Sequence, residues 1–423
     1  MFMPSAKCAS GIFALALIVR LIAFAVLPEP HMSYNATFAY VKGAEILFEG
    51  QGFSDPSFPV YTPPLYSICI AIVTAIFGNG ILAIKFIQIV LDSFTAVLLY
   101  FLVRTVFSEL TGNLAGIMWA LYPFTIYSTL YIGTEAFFTF FITFFVLLLV
   151  HGIQTDKIYF YCLAGIVLGL ATLTRGTTQF IPLILPFVLF ALGKGRVHWL
   201  RNSLVSLVCF VIVILPWGAR NYFVLHEIIP VGANSTIILY GTYEPLLTID
   251  TRQAELARLF AEAKAKGIVP PGEDRGPAER DRFLARVAIE NYRERFRSDT
   301  FGLGMFMFKK FGRLWYSTES GNNHGVTLAV NAGIYVLAII GICIAWKRRN
   351  GIAMMLLSLV GYFVIIHWLS LPLFRYMLPV MPYVIAFAAL GFAFLIELSW
   401  PEMHGQLRNF LLASEKVKRV STS

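Results

Sequence analysis

Ten long, mostly apolar stretches recur along this chain, near 11–28, 81–103, 113–130, 134–153, 158–174, 177–193, 202–219, 325–346, 352–370 and 378–398. A helix needs about 20 such residues to cross the hydrocarbon core of a bilayer. The expected fold is therefore an all-α polytopic membrane protein with about ten transmembrane helices, interfacial helices and one long external loop. Composition agrees: 58% of residues are hydrophobic and 13% charged, with a mean hydropathy of +0.72, values foreign to a soluble domain with a charged exterior. Residues 11–28 follow Lys7 but run longer than a signal-peptide core and lack a small-residue cleavage site. They are expected to stay attached as the first span.

Short loops rich in Lys and Arg stay cytoplasmic, and this fixes the expected topology. An eleventh apolar run, Leu65 to Phe77, is shorter and follows Pro63-Pro64. If it does not cross, then Arg104, Lys157, the Lys194/Arg196/Arg201 cluster, Lys347-Arg348-Arg349 and the tail residues Lys416, Lys418 and Arg419 all fall inside. If it crosses, every later assignment inverts. We therefore read 65–77 as re-entrant or interfacial, in a multi-pass protein of the plasma (bacterial inner) membrane with both termini cytoplasmic. The division that follows is an N-terminal transmembrane core over 1–220 including an outer loop at 29–66, an external segment over 221–324, C-terminal transmembrane helices over 325–398, and a basic cytoplasmic tail over 399–423.

The net charge of +9 does not point to nucleic acid, because many basic residues flank the spans, where they set topology or meet anionic membrane lipids. Cysteines 8, 69, 162, 209 and 343 lie in apolar segments without CxxC spacing. They read as small core hydrophobes. Within the external segment, Thr248 to Lys266 carries Leu256, Phe260 and Ala263 on one helical face, and Pro277 opens a helix bearing Phe283, Leu284, Val287 and Ile289. Both are expected to lie on the membrane. Phe301 to Phe308, followed by Lys309, Lys310, Arg313 and Trp315, reads as an interfacial anchor.

Chemistry is expected where polar groups meet the outer ends of the spans. The loop PEPHMSYNATFAYVKGAEILFEGQGFSDPSFPVYTPPLY (29–66) is semi-polar and patterned with small residues, aromatics and glycines, as a substrate loop would be. Arg175, Arg220 and Arg375 all fall outside, against the positive-inside bias. Guanidinium forks match phosphate oxygens, so the three together ask for an anion; singly, each is explained by snorkelling to headgroups. Glu135 opens a long apolar helix, where the helix dipole favours a carboxylate, with Thr134 as a candidate cap. Arg20 is expected to snorkel inward and Asp92 to make a packing hydrogen bond with Ser93 or a neighbour. No HxH or HExxH spacing links His31, His226, His324 and His367, so no metal set is legible, and a divalent metal is left open. Asn35 and Asn234 each open a glycosylation sequon.

The order of these motifs resembles a family. Tyr40, Ala44, Gly50, Gly52 and Phe53, then PPLY, ALYPFTIYSTLYIGTEAFF, GLATLTRGTTQFIPL, LPWGARNY and FRYMLPVMPY, are similar to the GT-C glycosyltransferases of the protein O-mannosyltransferase, lipid A aminoarabinose transferase and bacterial lipopolysaccharide glycosyltransferase branch. The resemblance, from about residue 11 to 398, implies transfer of a sugar from a polyprenyl-phosphate donor to a glycolipid, polysaccharide or protein acceptor outside. It implies that Arg175, Arg220 and Arg375 serve the phosphate and that Glu135 takes the acidic position opening the fourth span. Tyr40, Tyr61 and Thr62 become substrate contacts of the loop. Two positions depart from the pattern. Asn35-Ala36-Thr37 stands where relatives carry an Asp base, and Thr62 where many carry a basic residue; an amide does not take a proton as a carboxylate does. Glu135, Asp55, Glu45 and Glu49 are then the base candidates, with Glu135 preferred and Asn35 and Asp55 kept in the catalytic set. A noncatalytic protein that binds lipid-linked sugar, and a transporter or flippase, are the competing classes.

Overall fold

The computed structural model describes residues 3–28, 34–50, 52–192, 198–233, 235–244, 247, 249–268, 276–318 and 323–399. They are helical, with no strand among them. The helices are α1 (Met3–Val26), α2 (Tyr34–Phe48), α3 (Leu65–Phe77), α4 (Gly80–Val106), α5 (Glu109–Ala120), α6 (Pro123–Ser128), α7 (Glu135–Thr155), α8 (Ile158–Thr174) and α9 (Ile181–Leu192). They continue with α10 (Trp199–Leu225), α11 (Thr236–Tyr240), α12 (Ile249–Ala265), α13 (Pro277–Ser298), α14 (Thr300–Arg313), α15 (His324–Lys347), α16 (Gly351–Leu369) and α17 (Met381–Ser399). Sequence-local caps start several of them: Asn79 accepts from Leu82 N at 3.0 Å, Ser108 from Thr111 N at 3.2 Å and Asn350 from Ala353 N at 3.0 Å.

Among the described residues, seven helical stretches are long and apolar enough to span: Ala6–Val26, α4, α7, α10, α15, α16, and Phe374–Ser399, which contains α17. The helices α3, α8 and α9 are apolar but shorter. The expected span at 113–130 breaks in two. Pro123 drives the residue before it out of the helical region, and Tyr122 sits at φ −72°, ψ 113°. Helix α5 thus stops at Ala120, and its 12 residues cover roughly 18 Å of a core about 30 Å thick. The short run at Leu65–Phe77 forms one helix with the expected bounds.

A buried ion pair ties the first half together, contrary to the snorkelling expected of Arg20, while Asp92 makes its packing hydrogen bond to a neighbouring helix. Arg20 does not snorkel. It donates from Nε to Asp92 at 2.7 Å, from Nη1 to the carbonyls of Ala16 and Ala120 at 3.0 Å each, and from Nη2 to the Trp119 carbonyl at 3.4 Å. One side chain therefore joins α1 to α4 and caps the carbonyl end of α5. Ser93 bonds back to the Ile89 carbonyl instead of to Asp92. In the second half α15 and α17 touch backbone to backbone. A Cβ on Gly341 would lie 1.9 Å from the Phe387 carbonyl oxygen, and one on Gly391 2.1 Å from that of Leu337, so any larger residue would push the helices apart.

The helices α11 to α14 bury their apolar faces against one another. Leu239, Leu259, Ala263, Val287 and Ala288 form a core flanked by Leu256, Phe260, Phe283 and Leu284. The faces expected to lie on lipid in α12 and α13 are thus largely spent on protein. In α14, Phe301, Met305, Phe308 and Phe311 remain exposed. Lys310, expected at the interface, is buried and donates to the Gly241 carbonyl at 2.7 Å and to the Tyr292 hydroxyl at 3.0 Å. Gly241 abuts the end of α16, where a Cβ would fall 2.0 Å from the Ser370 carbonyl oxygen.

Candidate functional site

Three charged residues that are distant in sequence meet where α7 begins, α8 ends and the α16–α17 connection turns. Arg175, held extended at φ −151°, ψ 119° just after α8, donates from Nη2 to Glu135 Oε1 at 2.9 Å. Arg375, in the short 3-10 turn Phe374–Tyr376, places Nε 3.6 Å from the same oxygen. Glu135 is 2% exposed, so its charge is met by guanidinium, not water. Two cations against one anion leave a local excess of +1. Glu135 Oε2 and Arg175 Nη1 are buried without a hydrogen-bond partner among the described residues. Buried polar atoms are nearly always satisfied, so these two are candidate contacts for a bound group.

Aromatic rings shape the surroundings. The Tyr376 ring has the Arg175 and Arg375 guanidinium carbons each 5.4 Å from its centroid, and His367 stacks on it at 5.0 Å with a 12° interplanar angle. Arg175 also lies 5.6 Å from the Phe138 ring. Such faces hold guanidiniums in place without consuming their hydrogen bonds. Tyr40 is buried edge-on to Tyr66 at 5.1 Å, and the Thr134 side chain hydrogen-bonds its hydroxyl. Burial raises the Tyr40 pKa, and the nearby Arg175 opposes that rise. Thr134 makes no side-chain cap on α7. Its hydroxyl serves Tyr40 instead.

The loop before Glu135 is fixed by two residues the sequence reading passed over. Gln88 donates to the carbonyls of Thr129 at 3.2 Å and Tyr131 at 2.8 Å while accepting from the Tyr66 hydroxyl. That hydroxyl in turn accepts from Gly133 N at 3.1 Å. A lone amide in the apolar run of α4 was the available signal, since a polar group inside a span needs a reason.

The other expected site residues lie elsewhere. Arg220 donates to the carbonyls of Phe53 at 2.6 Å and Asp55 at 2.5 Å and lies over the rings of Phe58 and Trp217. Its donors are thus engaged in holding the 52–58 turn. The Asp55 carboxylate accepts from Ser57 N at 2.7 Å, and hydrogen bonds from the Ser57 hydroxyl first and its backbone N second keep its pKa below the ordinary range. Tyr61 is exposed, and Thr62 is buried just ahead of α3. Glu45 and Glu49 sit toward the end of α2, Glu45 facing Lys42 at 3.6 Å in an exposed pair and Glu49 exposed. The backbone of Asn35 belongs to α2, but its side chain, His31, Asn234, Lys194, Arg196 and the tail 400–423 lie outside the described residues. No three His, Cys, Asp or Glu side chains cluster among the described residues. Glu135, flanked by two guanidiniums, does not fit as a divalent metal ligand.

Residues 61–218 match the family model described as dolichyl-phosphate-mannose-protein mannosyltransferase. That match contains Glu135 and Arg175 and stops short of Arg375. No curated protein matches the sequence. Among solved structures, the apo oligosaccharyltransferase of Archaeoglobus fulgidus is 14% identical with a TM-score of 0.60, over 95% of this chain and 52% of that one. The archaeal oligosaccharyltransferase AglB from the same organism, with an inhibitory peptide and a dolichol-phosphate, is 14% identical with a TM-score of 0.58, over 95% of this chain and 51% of that one. ArnT from Cupriavidus metallidurans in the apo state aligns at 13% identity and a TM-score of 0.41, over 90% of this chain and 76% of that one. The chain spans about half the length of the oligosaccharyltransferase structures it matches. The chain is an integral, multi-pass membrane protein whose fold is similar to that of the archaeal oligosaccharyltransferase structures.

Proposed function

We propose that this chain is an integral-membrane glycosyltransferase that moves a sugar from a polyprenyl-phosphate donor to a glycolipid, polysaccharide or protein acceptor at the external face of the plasma membrane. The observation that carries the reading is the convergence of Arg175 and Arg375 on the buried Glu135, with an unmet donor on Arg175 and an unmet acceptor on Glu135. A lipid-linked sugar phosphate offers what such a site lacks. Its phosphate oxygens answer the guanidiniums, its hydrocarbon tail stays among the apolar helices, and its sugar reaches the aqueous end. The dolichol-phosphate bound by AglB is a ligand of the same kind.

In the transfer, the acceptor hydroxyl attacks the anomeric carbon while the bond from that carbon to the phosphate oxygen breaks. The electron pair leaves with the polyprenyl phosphate, and Arg175 and Arg375 stabilise the charge that develops there. The acceptor proton goes to Glu135 Oε2, the free oxygen of the carboxylate whose other oxygen is tied to Arg175. The Arg220 cluster keeps the 52–58 turn of the opening loop in shape.

The test is transfer of radiolabelled sugar from a panel of polyprenyl-phosphate donors to membrane extract by the purified protein in lipid. Transfer by the wild type that is lost in Glu135→Gln and Arg175→Ala supports the reading. Transfer that survives both substitutions sinks the site; absence of both transfer and donor binding in the wild type sinks the enzyme.

A further inference from the structure

His367 is the unexplained group next to this centre. It lies near the end of α16 and is 5% exposed, and both ring nitrogens are buried without a hydrogen-bond partner among the described residues. In either tautomer of a neutral imidazole one nitrogen carries a hydrogen and the other a lone pair, so a buried donor is left unmet. A histidine in a helix often bonds back to the carbonyl four residues earlier, as His151 does to Leu147 at 2.9 Å. His367 makes no such bond. Its ring is stacked on Tyr376 and lies 6.2 Å from the Phe363 centroid. A phenylalanine would fill that space without burying an unmet donor.

The neighbours say what the donor waits for. Tyr376, on which His367 stacks, also carries the Arg175 guanidinium, and Arg175 acts electrostatically on the imidazole. Arg175 Nη1 is unmet as well. Two unmet donors on groups that share the Tyr376 ring would both be met by one ligand with at least two acceptor oxygens, an oxyanion and not a lone hydroxyl. We propose that His367 is a direct contact of the donor phosphate, giving a ring N–H to one of its oxygens beside Arg175. The proposal rests on the phosphate reading of the arginine pair.

The experiment measures the affinity of the full-length protein in lipid nanodiscs for undecaprenyl phosphate, with His367→Phe, His367→Gln and Arg175→Ala. His367→Phe keeps the ring stack and removes the donor; His367→Gln keeps a donor and removes the ring. A hydrogen bond to a charged group predicts a loss of about tenfold or more in His367→Phe, with His367→Gln staying closer to wild type. Should His367→Phe fail to fold, His367→Leu takes its place. Wild-type affinity in the donor-free variant, together with weakened binding in Arg175→Ala, overturns the histidine contact and leaves the site standing. Equal losses in the Phe and Gln variants mark a packing role and also overturn it. Unchanged binding in Arg175→Ala overturns the phosphate reading beneath it.

Discussion

At the scale of single residues, charge in an apolar setting carried the legible information, and chemistry decided which charges were engaged. Glu135, Arg175 and Arg375 stood out in sequence because each sits at the end of an apolar run, and the fold brings both arginines within 3.6 Å of one Glu135 oxygen. Arg220 looked alike in sequence, but it reaches back to the loop carbonyls, a tertiary contact no local pattern encodes. Arg175 is expected to be irreplaceable by lysine. A lysine supplies the charge as a point donor and cannot both hold Glu135 Oε1 and offer a second fork arm to a phosphate. Steady-state transfer by Arg175→Lys should fall about 10- to 100-fold; near-native rates would show that only charge matters. Arg20 and Asp92 make the contrasting case, a buried pair whose role is structural. Arg20→Met alone leaves Asp92 unpaired and should cost about 3–5 kcal/mol in unfolding free energy, and the double change Arg20→Met/Asp92→Leu should recover much of it. Denaturation in mild detergent reads the difference, and additivity of the two single losses would refute the coupling.

At the scale of elements, helix periodicity was readable but partners were not. The faces of α12 and α13 were identified by their residues, yet the same spacing serves for burial on lipid or on a neighbouring helix, and here Phe260 meets Phe283 at 5.6 Å. Tyr122-Pro123 was in view all along, but the apolar composition on either side masked the break it makes. The loop 129–133 depends on contacts from α3 and α4, so its order is set outside itself. Gln88→Leu leaves the Thr129 and Tyr131 carbonyls unmet and should lower kcat by about tenfold through misplacement of Glu135. Because Gln88 is a positioning residue, donor binding should change little; equal losses in kcat and donor affinity would refute that role. Lys310 provides a pH dependence. Burial, with Arg295 adding to it, pushes its pKa down from 10.5 to about 7. Between about 7 and 10.5 the unfolded chain holds the extra proton, so this residue makes stability rise with pH across that window, by up to about 1.4 kcal/mol per unit. The slope vanishes above the unfolded value and below about 7, where both states are protonated. Hydrogen exchange of α13 and α14 should show added protection from pH 7 to 9 in the wild type and not in Lys310→Met, after correction for intrinsic exchange.

At the scale of the whole molecule, the two ends of the helix bundle differ in what they display. Helix α7 has 21 residues, about 31 Å of rise, close to the thickness of the hydrocarbon core. Glu135 at its start and Thr155 at its end must therefore lie near opposite interfaces. The Thr155 end gathers Lys157 before α8, Arg201 at the start of α10 and Lys347 at the end of α15. It is joined there by Asp156 bonding to His198 and Asn202, and by Asn350 bonding to the Val106 carbonyl of α4. The opposite end carries Glu135, Arg175, Arg375 and the α11–α14 segment packed on Ser370. Basic residues in short connections favour the cytoplasm, whereas a long segment translocates largely regardless of its charge, so the Thr155 end is expected inside and the site outside. A single cysteine at exposed Ser54, beside the turn held by Arg220, and another at exposed Thr155 test this in a chain whose five native cysteines are replaced. In intact cells a membrane-impermeant maleimide should label Ser54→Cys at once and Thr155→Cys only after the membrane is opened. The reverse pattern would put the arginine pair on the cytoplasmic side. A donor sugar would then have to be met before its carrier is flipped, and the external transfer reaction would fall while the anion site itself remained.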